Sequence, residues 1–513
     1  MQELHNVSDA VHWLRCRVTG SLHTDSRSVG PGDGLLAWPG ERHDARADVA
    51  GARARGTAAC LVEAAGAQAY ASSDPDVAAF AGLKTGSGPI ADAFFDHPSH
   101  ALQMVAVTGT NGKTSTVWWL AQALAALPRP MPCAMVGTLG MGFPVGPTVG
   151  PASATPQAWQ GGGLTTPDAV QLHRALHDFV RRGAMACAIE ASSIGIAEHR
   201  LDGARIDTAV FTNLTQDHLD YHGDMQAYRR AKERLFYWPG LRSAVVNVDD
   251  PAGAELAAAL QPRGLDLWTV SCEGEARLRA SDPCLGPQGL GFRIREGSHS
   301  LLLQTALIGL FNIYNLLAVV AAMRSLGVGL DDAVAACQHL APVPGRMQCM
   351  VEPGKPMAVV DYAHTPDALE KAIAALRPVA QQRSGRLWCV FGCGGDRDPL
   401  KRPLMGRAAA AADHVVLTSD NPRSEEPLAI MAQIAPGLRD HPALLRQADR
   451  ATAIAMALRQ AQAADVVLVA GKGHESSQEI GGQRFPFSDQ EQVQRALLQW
   501  HPWQPSVTSG VAA

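Results

Sequence analysis

The segment Gly109-Thr110-Asn111-Gly112-Lys113-Thr114 follows an apolar run, Met104–Thr108, and opens a stretch of helical character. Backbone N–H groups in such a strand-to-helix turn cradle phosphate oxygens, helped by the positive end of the helix dipole. Lys113 would reach the terminal phosphates and the Thr114 hydroxyl would coordinate Mg²⁺, which is nucleoside triphosphate chemistry. Val107 stands where a strict Walker A motif has its first glycine, so an ordinary glycine-containing turn is the competing reading. Glu190 closes an otherwise apolar run, and His218 lies in the loop Gln216–Gly223. A hard cation takes carboxylate oxygens, so these two would hold a second magnesium beside the phosphates. A strand-end Glu facing solvent and a loop-capping histidine fit the same residues, and local sequence leaves both readings open. Thr165 and Thr166, read locally, cap a helix starting at Pro167. Lys232 shares a helical face with Tyr228, Leu235 and Phe236. A lysine on an apolar stripe ordinarily carries its ammonium out to water. A desolvated one loses its proton and becomes reactive.

The elements that must position these groups follow from the apolar runs. In the middle of the chain, runs at 104–108, 185–190, 208–212 and 243–248 alternate with helical stretches. In the last third, runs at 357–361, 386–391, 414–419 and 465–470 each end in a polar loop: DYAHTPD, GCGGDRD, DNPRSEEP and GKGHE. Such an alternation predicts βαβ units and a parallel sheet buried on both faces. Ligands of open α/β sheets sit outside the carboxyl ends of the strands, so these loops point to one binding site. The first 98 residues mix short apolar runs with Gly/Pro/Asp turns and read as a small α/β domain. The expectation is an α/β protein with domains at 1–98, 99–343 and 344–513, and with the Gly/Pro-rich stretch 141–163 as a surface loop.

Composition bounds the partners. The 513 residues are 46% hydrophobic and 18% charged, a globular balance rather than a disordered one. A net charge of −5, from 44 basic and 49 acidic residues without long runs of one sign, argues against a nucleic-acid binder. The ten cysteines are widely scattered and suggest neither a zinc site nor a disulfide framework. The N-terminus has no signal-peptide pattern. Leu301–Met323 is apolar but broken by Gln304, Asn312 and Asn315, which favours a strand and a buried helix over a membrane span. A soluble cytoplasmic protein with reduced thiols is expected.

TGTNGKTS, FTNLTQDHLDYHGD, GRM, DYAHTPDALEKA, FGCGGDRD, SDNPRSEEP and VAGKGHE occur in this order and together resemble the Mur ligase family. The match is thinner over the first 98 residues, where TDSRSVGPGD is the main recognisable piece. The resemblance implies a small N-terminal UDP-binding α/β domain, a central P-loop-type ATPase domain and a C-terminal Rossmann-like domain. It implies an ATP-dependent, ADP-forming amide ligase of peptidoglycan precursor synthesis. That ligase would add meso-diaminopimelate to UDP-N-acetylmuramoyl-L-alanyl-D-glutamate through an acyl phosphate, as a monomer without nucleic-acid or membrane partners.

On the same resemblance, Gly109, Thr110, Asn111, Gly112, Lys113, Thr114 and Ser115 form the ATP loop, and Asn315, Arg346 and Asp361 resemble adenine, phosphate and ribose contacts. Thr114, Glu190 and His218 look like Mg²⁺ ligands, joined by Lys232 carried as a carbamate formed with CO₂. Ser26, Thr165, Thr166, Ser192, Glu198 and Arg200 would grip the UDP-muramoyl-dipeptide. Arg397, Asp420, Asn421, Pro422, Arg423, Gly471 and Glu475 match diaminopimelate-binding positions. A guanidinium holds the extra carboxylate of diaminopimelate through two parallel hydrogen bonds, and an acidic group holds its ammonium. A surface salt bridge from Arg423 to Glu425 or Glu426 is the alternative. The chain departs from the family pattern at Ile194 and at Glu198, where glutamine is usual, so a negative charge stands near an anionic substrate.

Overall fold

The computed structural model describes residues 1–40, 43–70, 73–144, 164–286 and 289–501. Two compact units emerge: Met1–Asp282 with Phe292–Leu303 and Tyr314–Leu340, and Pro283–Gly291 with Gln304–Ile313 and Ala341–Ala513.

The first unit contains a five-stranded sheet of β1 (Gln2–Leu4), β2 (Leu22–His23), β3 (Gly34–Ala37), β4 (Ala59–Glu63) and β5 (Val77–Phe80), ordered β1-β5-β4-β3-β2. All its pairings are parallel. A larger sheet follows, built of β6 (Gln103–Thr108), β7 (Cys133–Gly137), β8 (Gly140–Gly142), β9 (Ala186–Glu190), β10 (Thr208–Phe211), β11 (Ser243–Asn247), β12 (Asp266–Ser271), β13 (Leu278–Gly286), β14 (Gly289–Glu296) and β15 (His299–Thr305). Its order is β15-β14-β13-β12-β11-β10-β6-β9-β7-β8. β6 pairs in parallel with both β9 and β10, with Val107 opposite Glu190 and Thr108 opposite Phe211. This register brings the turn after β6, the end of β9 and the loop after β10 to one edge.

Helix Lys113–Ala125 leaves the β6 turn, and every residue from Thr114 to Leu124 is buried. A helix buried all round in this way is a core helix, which fixes its N-terminus. Met141 and Gly142 lie in β8, antiparallel to β7, so the expected 141–163 loop begins with a strand; residues 145–163 lie outside the described residues. The apolar Leu301–Met323 stretch divides into the end of β15 and the buried helix Asn312–Ser325. No helix among the described residues is long and apolar enough to cross a membrane.

The second unit carries the sheet β16 (Gln348–Met350), β17 (Met357–Asp361), β18 (Leu387–Phe391), β19 (His414–Leu417), β20 (Leu444–Arg446) and β21 (Val466–Ala470), ordered β16-β17-β21-β18-β19-β20. Only β16 is antiparallel. The strand residues alternate between two buried clusters: Val359, Cys389, Val415 and Leu468 face one layer of helices, and Val360, Val390, Val416 and Val469 the other. A hairpin of β22 (Ser477–Ile480) and β23 (Gln483–Pro486) follows β21.

Candidate active site

The turn after β6 is closed from two sides. Gly112 caps the helix at φ 87°, and a Cβ there would collide with Asn315 Oδ1, so only glycine lets Asn315 lie against the loop. From the other side, Asn213 Oδ1 accepts the Asn111 N–H at 3.0 Å and Thr212 Oγ1 donates to Asn111 O at 2.6 Å. Lys113 Nζ folds back to Gly109 O and Thr110 O, each at 2.8 Å. The Gly-rich turn is thus a braced loop at a helix N-terminus, a geometry that favours an anion.

Glu190 is 1% exposed, which overturns the solvent-facing reading. Its Oε2 accepts hydrogen bonds from Thr114 Oγ1 at 3.1 Å and Thr138 Oγ1 at 3.2 Å, and its Oε1 accepts the Thr138 N–H at 2.8 Å. Thr138 was not singled out in the sequence. Its only signal is its position just past β7, next to β9 in the sheet.

Thr165 and Thr166 do not cap a helix. Helix Ala169–Arg181 starts later, and its cap is Asp168, which accepts from the Gln171 N–H at 3.0 Å. Thr166 Oγ1 is instead drawn inward by Glu190 O at 2.7 Å and by Ser192 Oγ at 3.0 Å. Thr165 Oγ1 accepts from Thr138 Oγ1 at 3.1 Å, and Arg200 Nη1 donates to Thr166 O at 3.1 Å. The structure therefore gathers Thr114, Thr138, Thr165, Thr166, Glu190, Ser192 and Arg200 into one polar network. Ser26 lies after β2 and donates to Asp48 Oδ2 at 3.0 Å; no hydrogen bond among the described residues joins it to that network.

Lys232 corrects the local reading of a lysine reaching water. It is 1% exposed, with Nζ donating to Gly109 O at 2.8 Å and lying 4.3 Å from the Tyr228 ring centroid. Burial, reinforced by the Lys113 ammonium, pushes its pKa well below the usual lysine value. The stripe of Tyr228, Leu235 and Phe236 is buried at 0% exposure and seals the amine in. His218 begins the short helix Leu219–His222 at φ 53°, and its side chain makes no cap hydrogen bond. Its pKa is lowered by burial and by Lys113 and Lys232, so the neutral imidazole is favoured. Asp217 Oδ2, 3.5 Å from His218 Nε2, brings a carboxylate that sequence reading passed over.

In the second unit the loops at the carboxyl ends of β18, β19 and β21 interlock. Asn421 Nδ2 donates to Glu475 Oε2 at 2.7 Å, and the fully buried Lys472 Nζ bridges Asn421 Oδ1 at 2.9 Å and Glu475 Oε2 at 2.7 Å. Lys472 was missed, although it stands between the two marked residues of GKGHE. Asp420 Oδ1 accepts the Asn421 N–H at 2.7 Å, while Asp420 Oδ2 is buried with no hydrogen-bond partner among the described residues. It lies 2.5 Å from where a Gly471 Cβ would stand, and Gly471 has φ 120°. An unbonded buried carboxylate oxygen is a ready acceptor for an ammonium.

Arg423 is held at φ 53° by backbone bonds to Glu479 and Gly481 and donates through Nη1 to Gly395 O at 2.7 Å. It pairs with neither Glu425 nor Glu426. Glu425 is claimed by the buried Arg402 at 2.7 Å, and the carboxylate nearest Arg423 Nε is Glu479, at 3.7 Å. Arg397 is exposed and donates weakly to Asp396 O at 3.5 Å. Arg346 lies over the Tyr362 ring at 4.5 Å, and Asp361 accepts the N–H groups of Met347 at 2.6 Å and Ala363 at 2.9 Å. Asp361 is thereby engaged in fixing the loop after β17.

Comparison with known proteins agrees with this layout. Residues 107–323 match the Mur ligase middle domain, and residues 345–473 match the Mur ligase, glutamate ligase domain. The chain is similar to the UDP-N-acetylmuramoyl-L-alanyl-D-glutamate–2,6-diaminopimelate ligase of Acidovorax sp. (strain JS42), 56% identical over 97% of this chain and 99% of the relative. It is also similar to the enzyme of that name from Janthinobacterium sp. (strain Marseille), 45% identical over 96% of this chain and 97% of the relative. A solved structure of a ligase of that name superimposes with a TM-score of 0.62 at 35% identity, covering 93% of this chain and 94% of that one. UDP-N-acetylmuramoylalanyl-D-glutamyl-2,6-diaminopimelate–D-alanyl-D-alanyl ligase from Acinetobacter baumannii shares the fold, with a TM-score of 0.65 at 19% identity over 96% of this chain and 97% of that one. With a braced anion loop, a buried lysine beside it and these relatives over nearly its full length, the chain belongs to the Mur ligase family.

Proposed function

We propose that this protein is the ATP-dependent ligase that joins meso-diaminopimelate to UDP-N-acetylmuramoyl-L-alanyl-D-glutamate in peptidoglycan precursor synthesis. Residues 1–98 would serve as the UDP-muramoyl-binding domain, 99–343 as the ATP-binding domain and 344–513 as the amino-acid-binding domain, in a cytoplasmic monomer. The observation that carries the amino-acid choice is the presence of Arg423 and Asp420 on one loop, the loop after β19. Arg423 Nη1 is anchored on Gly395 O, and the unbonded Asp420 Oδ2 is fixed near the pocket residues Asn421 and Glu475. Diaminopimelate offers a carboxylate and an ammonium at its far end, whereas lysine offers only the ammonium.

The reaction has two steps. The D-glutamyl γ-carboxylate attacks the γ-phosphorus of ATP, the bond to the bridging oxygen breaks, and ADP leaves an acyl phosphate. The diaminopimelate amine then attacks the acyl carbon, loses a proton and expels phosphate. Gly109 to Ser115 would cradle the phosphates, with Lys113 balancing the charge gathered on the phosphate oxygens. Asn315, Arg346 and Asp361 are further nucleotide contacts in this proposal. Thr165, Thr166, Ser192 and Arg200, with Ser26, would hold the UDP-muramoyl-dipeptide. Glu198 is not among the groups offered to it, because both its oxygens already have protein donors. Arg397, Asp420, Asn421, Pro422, Arg423, Gly471 and Glu475 would orient the incoming amine, and most of the rate would come from that positioning.

The donor set fits magnesium. Thr114 Oγ1 and Glu190 Oε2, 3.1 Å apart, are hard oxygen donors, and Mg²⁺ characteristically takes few protein ligands and completes its shell with water and phosphate. Thr114, Glu190 and His218 would hold it, and when bound it neutralises phosphate charge. Lys232 fits carbamate formation: burial lowers the pKa of its amine, which once deprotonated would bond to the carbon of CO₂ and release a proton, turning a cation into an oxygen donor.

The test is phosphate release by purified protein with ATP, Mg²⁺ and UDP-N-acetylmuramoyl-L-alanyl-D-glutamate, with either meso-diaminopimelate or L-lysine added. Release that requires diaminopimelate and ignores lysine is expected. Equal use of both would keep the ligase and discard the Arg423 argument. No release from folded, ATP-binding protein would discard the ligase reading.

A further inference from the structure

Glu198 is the C-cap residue of helix Ser193–Ala197, two residues before Arg200. Its Oε2 lies 2.6 Å from Lys84 Nζ, and its Oε1 accepts a short hydrogen bond from Tyr221 Oη. Lys84 belongs to helix Leu83–Phe94, which follows β5, and Tyr221 to helix Leu219–His222, which follows His218. His222 Nε2, 3.0 Å from Ser193 Oγ, ties helix Leu219–His222 to helix Ser193–Ala197 a second time. Burial alone would raise the Glu198 pKa; the bonds from Lys84 and Tyr221 outweigh it, and the carboxyl is held below its ordinary range. Glu198 is therefore a fixed anion close to Arg200, whose guanidinium also acts on it electrostatically.

A carboxylate in that place has two effects on an anionic ligand. It repels the ligand's own carboxylate and phosphates, and it competes for the Arg200 guanidinium. Only one cationic side chain forms an ion pair with Glu198 among the described residues, and it comes from a helix more than a hundred residues away in the chain. We propose that Lys84 is a positioning residue: its ammonium keeps Glu198 occupied, so that Arg200 stays available to a nucleotide-sugar ligand bearing carboxylates. The inference rests on the reading of Arg200 as a contact to the UDP-muramoyl-dipeptide.

The experiment compares wild type, Lys84→Met, Glu198→Gln and the double variant, measuring kcat, the KM for the UDP-muramoyl-dipeptide, the KM for ATP and the melting temperature at low and high salt. Lys84→Met should raise the KM for the UDP-muramoyl-dipeptide roughly three- to tenfold at low salt, the scale of one partly exposed charge pair, with kcat and the ATP KM little moved. High salt should shrink the rise. Glu198→Gln should lower that KM, and the double variant should return it to near the wild-type value, because no unneutralised anion remains. A merely structural bridge gives the opposite pattern. All three variants break the pair, so all would lose melting temperature and shift every kinetic constant alike. That pattern, an unchanged KM in Lys84→Met, or a double variant as impaired as Lys84→Met overturns the inference. Wild-type protein that turns over the dipeptide while Lys84 variants are indifferent removes this inference alone. Wild-type protein that does not bind the dipeptide removes the reading of Arg200 and this inference with it.

Discussion

Lys232 is under two opposed demands. Folding favours a lysine that reaches water, yet this amine is buried and donates a hydrogen bond to Gly109 O. Its folded pKa lies well below the unfolded one, so over the interval between them the unfolded chain binds more protons. Stability must therefore rise with pH across that interval, from the lowered folded value up to the ordinary lysine range. Lys232→Met keeps the length, removes the titrating group and should melt no lower than wild type near neutral pH. Its stability should also rise less steeply between neutral and alkaline pH, while ligase activity falls by at least about a hundredfold. Chemical denaturation at several pH values reads the first effect and phosphate release the second. A variant both active and less stable would show that the lysine is there for packing. Sequence periodicity gave the face on which Lys232 lies but not its depth, because a period of 3.6 says nothing about whether a four-carbon stem can escape. Glu190 is ambiguous for the same reason: its burial depends on Thr114, at the start of helix Lys113–Ala125, and on Thr138, just past β7.

At the scale of elements, the loops of the second unit stand on an ion pair that nothing nearby in sequence announces. Arg450 opens helix Arg450–Gln460 and Asp489 opens helix Asp489–Leu498. The two are fully buried and joined twice at 2.7 Å. The remaining Arg450 donors reach Ser419 O at 3.3 Å and Ala470 O at 2.9 Å, the residues just before Asp420 and Gly471. One guanidinium therefore aligns the loops after β19 and β21. Arg450→Met leaves a buried carboxylate uncompensated and should cost about 3–5 kcal/mol in denaturant unfolding. Arg450→Met with Asp489→Leu should recover most of that stability while the KM for diaminopimelate stays raised, since the loops lose their common anchor. Full recovery of the KM in the double variant would reduce the pair to a stability element. Strands were far more legible than this anchor. Runs such as 357–361 and 465–470 are apolar at every position but Asp361 and Asp465, because both faces of the sheet are covered, and the observed strands start within one residue of them. The anchor spans 39 residues and has no period, so only the fold brings it together.

At the scale of the whole molecule, the groups assigned to the UDP-muramoyl-dipeptide and to diaminopimelate divide cleanly between the compact units. Ser26, Thr165, Thr166, Ser192 and Arg200 belong to the first, and Arg397, Asp420 to Arg423, Gly471 and Glu475 to the second. Each unit also has its own buried core: Met104, Ile189, Phe211 and Val246 in one cluster of the first, Val359, Phe391, Leu417 and Leu468 in one of the second. Separate cores of this size unfold as separate cooperative steps, so scanning calorimetry should show two transitions rather than one. A ligand that binds only the native state stabilises by about 2.7 kcal/mol at a hundred times its dissociation constant, and the transition that moves identifies the unit holding it. meso-Diaminopimelate should raise the transition of the second unit by roughly 5–10 °C, as expected near 200 residues, and the UDP-muramoyl-dipeptide should raise that of the larger first unit by less. L-Lysine at the same concentration should leave the second transition near its unliganded position, because it lacks the second, far-end carboxylate for Arg423. A lysine shift as large as that of diaminopimelate would remove the specificity argument. Both substrates moving the same transition would remove the division of substrates between the units, whatever the kinetics showed.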